Sequence, residues 1–157
     1  MKEFQRLRAS AKKRFQTADH FLTVTYPRLD DPKLLLSALE HLYRGFENAM
    51  DAVLEHQQLF KNIDPVGDSF EERFDAFESI AQEHGLDTDH VKELRSVLAC
   101  HEESPVEFPK DGKYVICDDD FVTETLTEDR LKTYCDQGKE FWEQVAEVTQ
   151  EHERIFE

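Results

Sequence analysis

Residues 31–60 read DPKLLLSALEHLYRGFENAMDAVLEHQQLF, and this stretch decides the fold. Asp31 followed by Pro32 is a helix start: an acceptor at the cap, then a residue whose missing N–H costs nothing in the first turn. Leu35, Leu39, Leu42, Phe46, Ala49 and Val53 recur at helical spacing and form one apolar stripe, and Leu36, Tyr43, Met50 and Leu54 widen it onto a second face. A helix apolar on two faces needs neighbours on two sides, so it belongs at the centre of a bundle. Gly45 interrupts it at a propensity cost of roughly 1 kcal/mol and marks a place where another helix comes close.

Four further helices are predicted around it. The first runs over about 3–25, with Phe4, Leu7, Ala11, Phe15, Ala18 and Leu22 as its stripe, and Pro27 ends it. Asp68 with Glu71 three residues on gives a capping-box start to the next, whose inner face carries Phe70, Phe74, Phe77 and Ala81 and whose end is Gly85. A fourth covers about 88–103, with Val91, Leu94, Val97 and Leu98 inward and Pro105 as its stop. Thr127 caps the last, whose stripe runs from Leu131 through Tyr134, Gly138, Phe141, Trp142, Val145 and Val148 to His152 and Ile155. Between the last two helices the period changes. KYVIC (113–117) and FVTET (121–125) are β-rich and flank Asp118-Asp119-Asp120, which reads as a short hairpin. The expected fold is a single all-α, up-and-down bundle of about five helices over 1–157, with a short β-hairpin before the last helix.

Charge is unevenly distributed. Residues 1–14 hold six Lys/Arg against Glu3, a net of +5, whereas the rest holds 13 Lys/Arg against 34 Asp/Glu, a net of -21. Most of such a surface repels phosphates; it suits a basic protein partner or a high-salt environment, and it serves plain solubility as well. The basic first helix is expected to be a solvated face that pairs with the acidic helices of the same chain. Cys100, Cys117 and Cys135 include no C-x-x-C pair, so a disulfide framework and a zinc ribbon are not indicated, and the three are read as small buried residues in a reducing compartment. No secretory h-region follows the basic start, and the longest apolar run, 34–39, is too short for a bilayer. These features predict a cytoplasmic protein with no membrane association.

Catalytic signatures are few. All seven His adjoin an acid, but neighbours on a helix point about 100° apart and do not converge on one ion. The Glu-x-x-His pairs of di-iron bundles, phosphate-cradling glycine loops and nucleophile elbows are absent, and no metal or cofactor is expected. One constellation remains. In LRSVLACH, 94–101, His101 continues the apolar stripe and Arg95 stands six positions before it, about 120° round the helix and roughly 9 Å along it. By spacing alone the pair is a half-buried histidine favoured by a helix C-terminus plus a surface arginine.

The segment R-S-V-L-A-C-H resembles the signature of HEPN domains (the higher eukaryote and prokaryote nucleotide-binding superfamily), an Arg followed after four to six residues by a His. ADHFLTVTYP (18–27), DPKLLLSALEHLYRGFENAMDAVL (31–54), HEESPVEF (101–108) and YVICDDDF (114–121) resemble small prokaryotic HEPN-like proteins. The resemblance implies a homodimer and a metal-independent endoribonuclease of the toxin–antitoxin or stress-defence type. Arg95 would hold phosphate, His101 would act as general base or acid, and Ser96 would support them where many such nucleases carry Asn or Asp. It equally implies the non-catalytic members: helical modules that bind a basic protein or a nucleotidyltransferase-type antitoxin. Glu93, Glu102 and Glu103 are expected to crowd the motif.

Overall fold

The computed structural model describes residues 1–104, 106–117, 120 and 122–155, with side chains to residue 150. Among these residues five helical rods surround one continuous apolar cluster. The first rod comprises α1 (Glu3–His20), a π-helical turn (Phe21–Thr25) and α2 (Tyr26–Leu29). The others are α3 (Lys33–Leu59), α4 (Phe70–His84), α5 (Asp89–Glu103) and α6 (Glu128–Ile155). Three strands, β1 (Val106–Lys110), β2 (Lys113–Cys117) and β3 (Thr123–Leu126), form an antiparallel sheet in the order β1-β2-β3. The chain is therefore mainly helical, but the sheet is larger than the hairpin expected of an all-α bundle.

The helix at 31–60 forms as its sequence predicts. Asp31 Oδ1 accepts from the Lys33 N–H at 3.0 Å, so the aspartate caps the helix through the intervening proline. α3 is the central element, with buried side chains on two faces, and it packs against α1 on one side and against α4, α5 and α6 on others. Gly45 is indeed a point of close approach. A Cβ there would lie 2.7 Å from the ring of Phe15 on α1, and a Cβ at Gly138 on α6 would meet the same ring at 2.7 Å. The Phe15 ring fills the gap that two glycines leave, edge-on to Phe46 at 5.0 Å.

Three boundaries are corrected. The first rod does not stop at Pro27. The Tyr26 N–H donates to the Phe21 carbonyl, five residues back, and the wider turn accommodates a residue that has no N–H of its own. The rod ends instead at Asp30, which is left-handed (φ 50) and donates its N–H to the Tyr26 carbonyl at 2.8 Å. The cap of α4 lies one residue later than expected: Ser69 is extended and its Oγ accepts from the Glu72 N–H at 3.1 Å. Gly85 closes that helix in the left-handed region (φ 69), with the Leu86 N–H reaching the Ala81 carbonyl.

The third correction is β1. The KYVIC segment pairs with Thr123–Leu126 as expected, and also with VEFPK on its other side. Asp111 and Gly112, both at positive φ (51 and 76), make the tight turn between them. Pro109 sits on the edge strand, where its missing N–H breaks no ladder. Tyr114, Ile116 and Leu126 face the core, while Val106 and Phe108 remain 50% and 40% exposed. The Tyr26 hydroxyl donates to the Gly112 carbonyl at 3.0 Å and ties the turn to the first rod. Thr127 caps α6 by accepting from the Arg130 N–H at 3.1 Å. The readings placed on Pro105, Asp118, Asp119, Phe121 and the side chains of His152 and Ile155 lie outside the described residues.

Candidate active site along the seam of α3 and α5

His101 occupies the last turn of α5 and points at the sheet. Its Nδ1 is hydrogen-bonded to Glu107 Oε1 on β1, and the other oxygen of Glu107 accepts from the Tyr114 hydroxyl on β2 at 2.7 Å. Burial first, and the hydrogen bond to Glu107 second, push the Tyr114 phenol up to about 12, so it stays a donor throughout the neutral range. A carboxylate that already accepts from Tyr114 takes the imidazole's Nδ1–H, which leaves Nε2 to exchange a proton. Nε2 lies 4.0 Å from Glu40 on α3, and the side chain is 26% exposed.

Arg95 lies farther back along α5 and meets α3 one turn on. Its Nη1 donates to the Tyr43 hydroxyl at 2.9 Å, its guanidinium lies 3.8 Å from the centre of the Phe70 ring, and Nη2 is 3.9 Å from Glu71. The side chain remains 43% exposed. Tyr43 in turn donates to Glu47, which also faces Arg73 at 3.4 Å, and Arg73 holds both oxygens of Asp51 at 2.7 Å. Burial outweighs Arg73 at Asp51 and raises its carboxyl above the usual range. A polar chain thus runs from Arg95 through Tyr43, Glu47 and Arg73 to Asp51.

The structure brings Arg95 and His101 onto the same seam but not into contact. Glu40 and Tyr43, three residues apart on α3 and hence on one face, receive His101 and Arg95 respectively. Ser96 is exposed and lines a groove of about 370 Å³ between α4 and α5 with Phe70, Phe74, Lys92 and Arg95. The acids that touch the motif are Glu40, Glu71 and Glu107; Glu93, expected to crowd it, pairs with Arg130 at 3.5 Å. Glu40, Tyr43, Glu107 and Tyr114 escaped sequence reading. Tyr43 looks like one more apolar stripe residue, and Glu107 becomes a neighbour of His101 only because the chain reverses into β1.

Elsewhere, Cys135 is buried, which pushes its thiol up to about 12, whereas Cys100 and Cys117 are only half-buried, contrary to expectation. Among the described residues no three His, Cys, Asp or Glu side chains gather as a metal site, and no helix is long and apolar enough to cross a membrane. Compared with protein-family models, with curated proteins and with solved structures, the chain finds no match in any of the three.

Proposed function

We propose that this chain is a HEPN-like domain that acts as a homodimer and cleaves RNA without a metal. The observation that carries the reading is the Glu107–His101 pair: a carboxylate, itself oriented by Tyr114, holds one imidazole nitrogen and leaves the other at a half-open seam. Arg95 stands on that seam with its guanidinium half exposed. In the reaction His101 Nε2 removes the proton of a ribose 2′-OH. The O2′ then bonds to the adjacent phosphorus as the bond to the 5′-oxygen breaks, and that oxygen takes a proton from the same imidazole of the second copy. Arg95 stabilises the charge on the non-bridging oxygens. The products are a 2′,3′-cyclic phosphate and a 5′-hydroxyl. Cleavage of single-stranded RNA in EDTA tests this. Wild type is expected to leave cyclic-phosphate ends, His101→Ala and Arg95→Ala to lose at least about a hundredfold, and Glu107→Gln to fall between. Equal rates for wild type and His101→Ala would overturn the assignment.

A second reading has its own support. Phe70 and Tyr43 already engage Arg95, and Glu40, Glu71 and Glu107 line the seam, an arrangement that suits a non-catalytic helical module whose acidic face receives a basic protein or a nucleotidyltransferase-type antitoxin. In that case none of the variants cuts RNA, and Glu40→Gln with Glu71→Gln weakens capture of the basic partner.

A further inference from the structure

The basic helix does not behave as its charge predicts. Of the six cations in residues 1–14, only Arg6 meets a carboxylate among the described residues, and that is Glu3 on its own helix. The others rest on neutral groups or face solvent. Arg8 donates to Thr149 Oγ1 at 2.6 Å, Arg14 lies against His41 Nδ1 at 3.1 Å, and Lys2 lies 5.7 Å from the centre of the Phe60 ring. Lys12 lies 5.0 Å from the Trp142 ring, and Lys13 is exposed. The expectation that acidic helices of the same chain neutralise this face is corrected. In a chain of net charge -16, these cations are left for something else.

Trp142 gives the face a shape. Its indole N–H donates to the Arg8 carbonyl at 2.8 Å, which fixes the ring in the seam between α1 and α6. A groove of about 300 Å³ opens on one side of it, bounded by Lys12, Gln16, Lys139 and Glu143, and one of about 510 Å³ on the other, bounded by Arg8, Lys12 and Gln150. The furrow thus has an aromatic floor, three cations and a single acid. Lys139 also reaches Asp19 at 3.4 Å.

We propose that the furrow between α1 and α6 binds single-stranded RNA, with a base against the Trp142 indole and phosphates on Lys12, Arg8 and Lys139. A polynucleotide supplies both things the furrow offers to receive, a flat π-face and spaced negative charge. The acidic surface of a second copy offers the charge without a run of flat bases to lie against the indole. The site goes beyond the cleavage reading and needs neither Arg95 nor His101.

The test uses a 2′-O-methyl oligouridylate of about twelve nucleotides, which cannot be cut through its 2′ oxygen, so binding and cleavage are read separately. Trp142 is the chain's single tryptophan, so its fluorescence reports on the furrow alone. Saturable quenching is expected, with log affinity falling against log salt at a slope of about -2 for three phosphate contacts. Lys12→Glu, at an exposed position and with its fold checked by circular dichroism, is expected to weaken binding at least about tenfold by anisotropy of the labelled strand. Lys132→Glu, an exposed change on α6 outside both sites, is expected to bind as wild type does. Absence of quenching, undiminished binding by Lys12→Glu, or competition by polyglutamate as strong as by the oligonucleotide would each overturn the proposal. So would self-association that Lys12→Glu abolishes in a chain that binds no RNA.

Discussion

The junction of α1, α3 and α6 and the attachment of α4, α5 and the sheet to α3 are held in different ways. At the junction the fit is steric: the Phe15 ring occupies the space that Gly45 and Gly138 leave, beside Phe46, which in turn meets Phe141. At the attachment an apolar layer is supplemented by polar clips: Arg73 to Asp51 and Arg95 to Tyr43 reach α3, while His101 to Glu107 and Arg130 to Glu124 tie the sheet to α5 and α6. A steric fit has one solution and loses much when disturbed, because interiors are close-packed. Half-exposed clips are weaker and can exchange partners with a ligand. The seam that carries Arg95 and His101 lies in the clipped region, where exchange is cheap.

The comparison breaks most visibly at Phe15. Phe15→Ala is expected to cost about 3–5 kcal/mol in urea denaturation. Gly45→Ala is expected to cost about 1–3 kcal/mol although alanine is the better helix former, because its methyl meets the ring at 2.7 Å. A neutral Gly45→Ala would show that the junction yields and is no more rigid than the clips. The next effect is at Arg73. Both Arg73 and Asp51 keep 23% of their side-chain surface exposed, so solvent screens the pair and Arg73→Met is expected to cost about 1–2 kcal/mol. Adding Asp51→Asn should cost less than the sum of the two single changes, since the uncompensated carboxylate is gone; strict additivity would mean that the clip couples nothing.

The smallest effect at neutral pH is at His90, and it grows in acid. The ring sits between Phe46 and Phe141 with its Nε2 unpartnered among the described residues, and burial lowers its pKa below 6.5. Below pH 6.5 the unfolded chain binds the proton more readily than the folded one. The stability that neutral His90 contributes is therefore complete above that pH and is lost as pH falls through the depressed folded value. His41, lowered by burial and by Arg14, adds in the same direction. Melting curves across that range should show a steep acid loss in wild type and a shallower one in His90→Leu; equal slopes would assign the loss to other groups.

What the sequence makes legible follows the same division. The rods and the close approach at Gly45 could be read because an apolar stripe and a missing Cβ are local signals. Pro27 misled because a single widened turn carries a helix past a proline, and nothing local announces that turn. β1 was hidden because Pro109 breaks its alternation, although Asp111-Gly112 is a hairpin signal in plain view. The clips were illegible for a plainer reason: Arg95 finds Tyr43 across 52 positions, and Arg73 finds Asp51 across 22. Spacing alone read Arg95 and His101 as a surface arginine and a half-buried histidine, a family resemblance singled them out as a site, and only the folded chain supplies Glu107, Tyr114 and Glu40 around them.

The furrow has a consequence for how the protein is made. Arg8 bonds to Thr149 across 141 positions, and Trp142 bonds to the Arg8 carbonyl across 134. On the ribosome α1 emerges before α3 and α3 before α6, so α1 can pair with α3 while the side that α6 will cover stays open until the segments between them have been made. Until α6 arrives the nascent chain carries an unfinished apolar edge flanked by the lysines and arginines of α1, and charges beside an apolar segment oppose its aggregation.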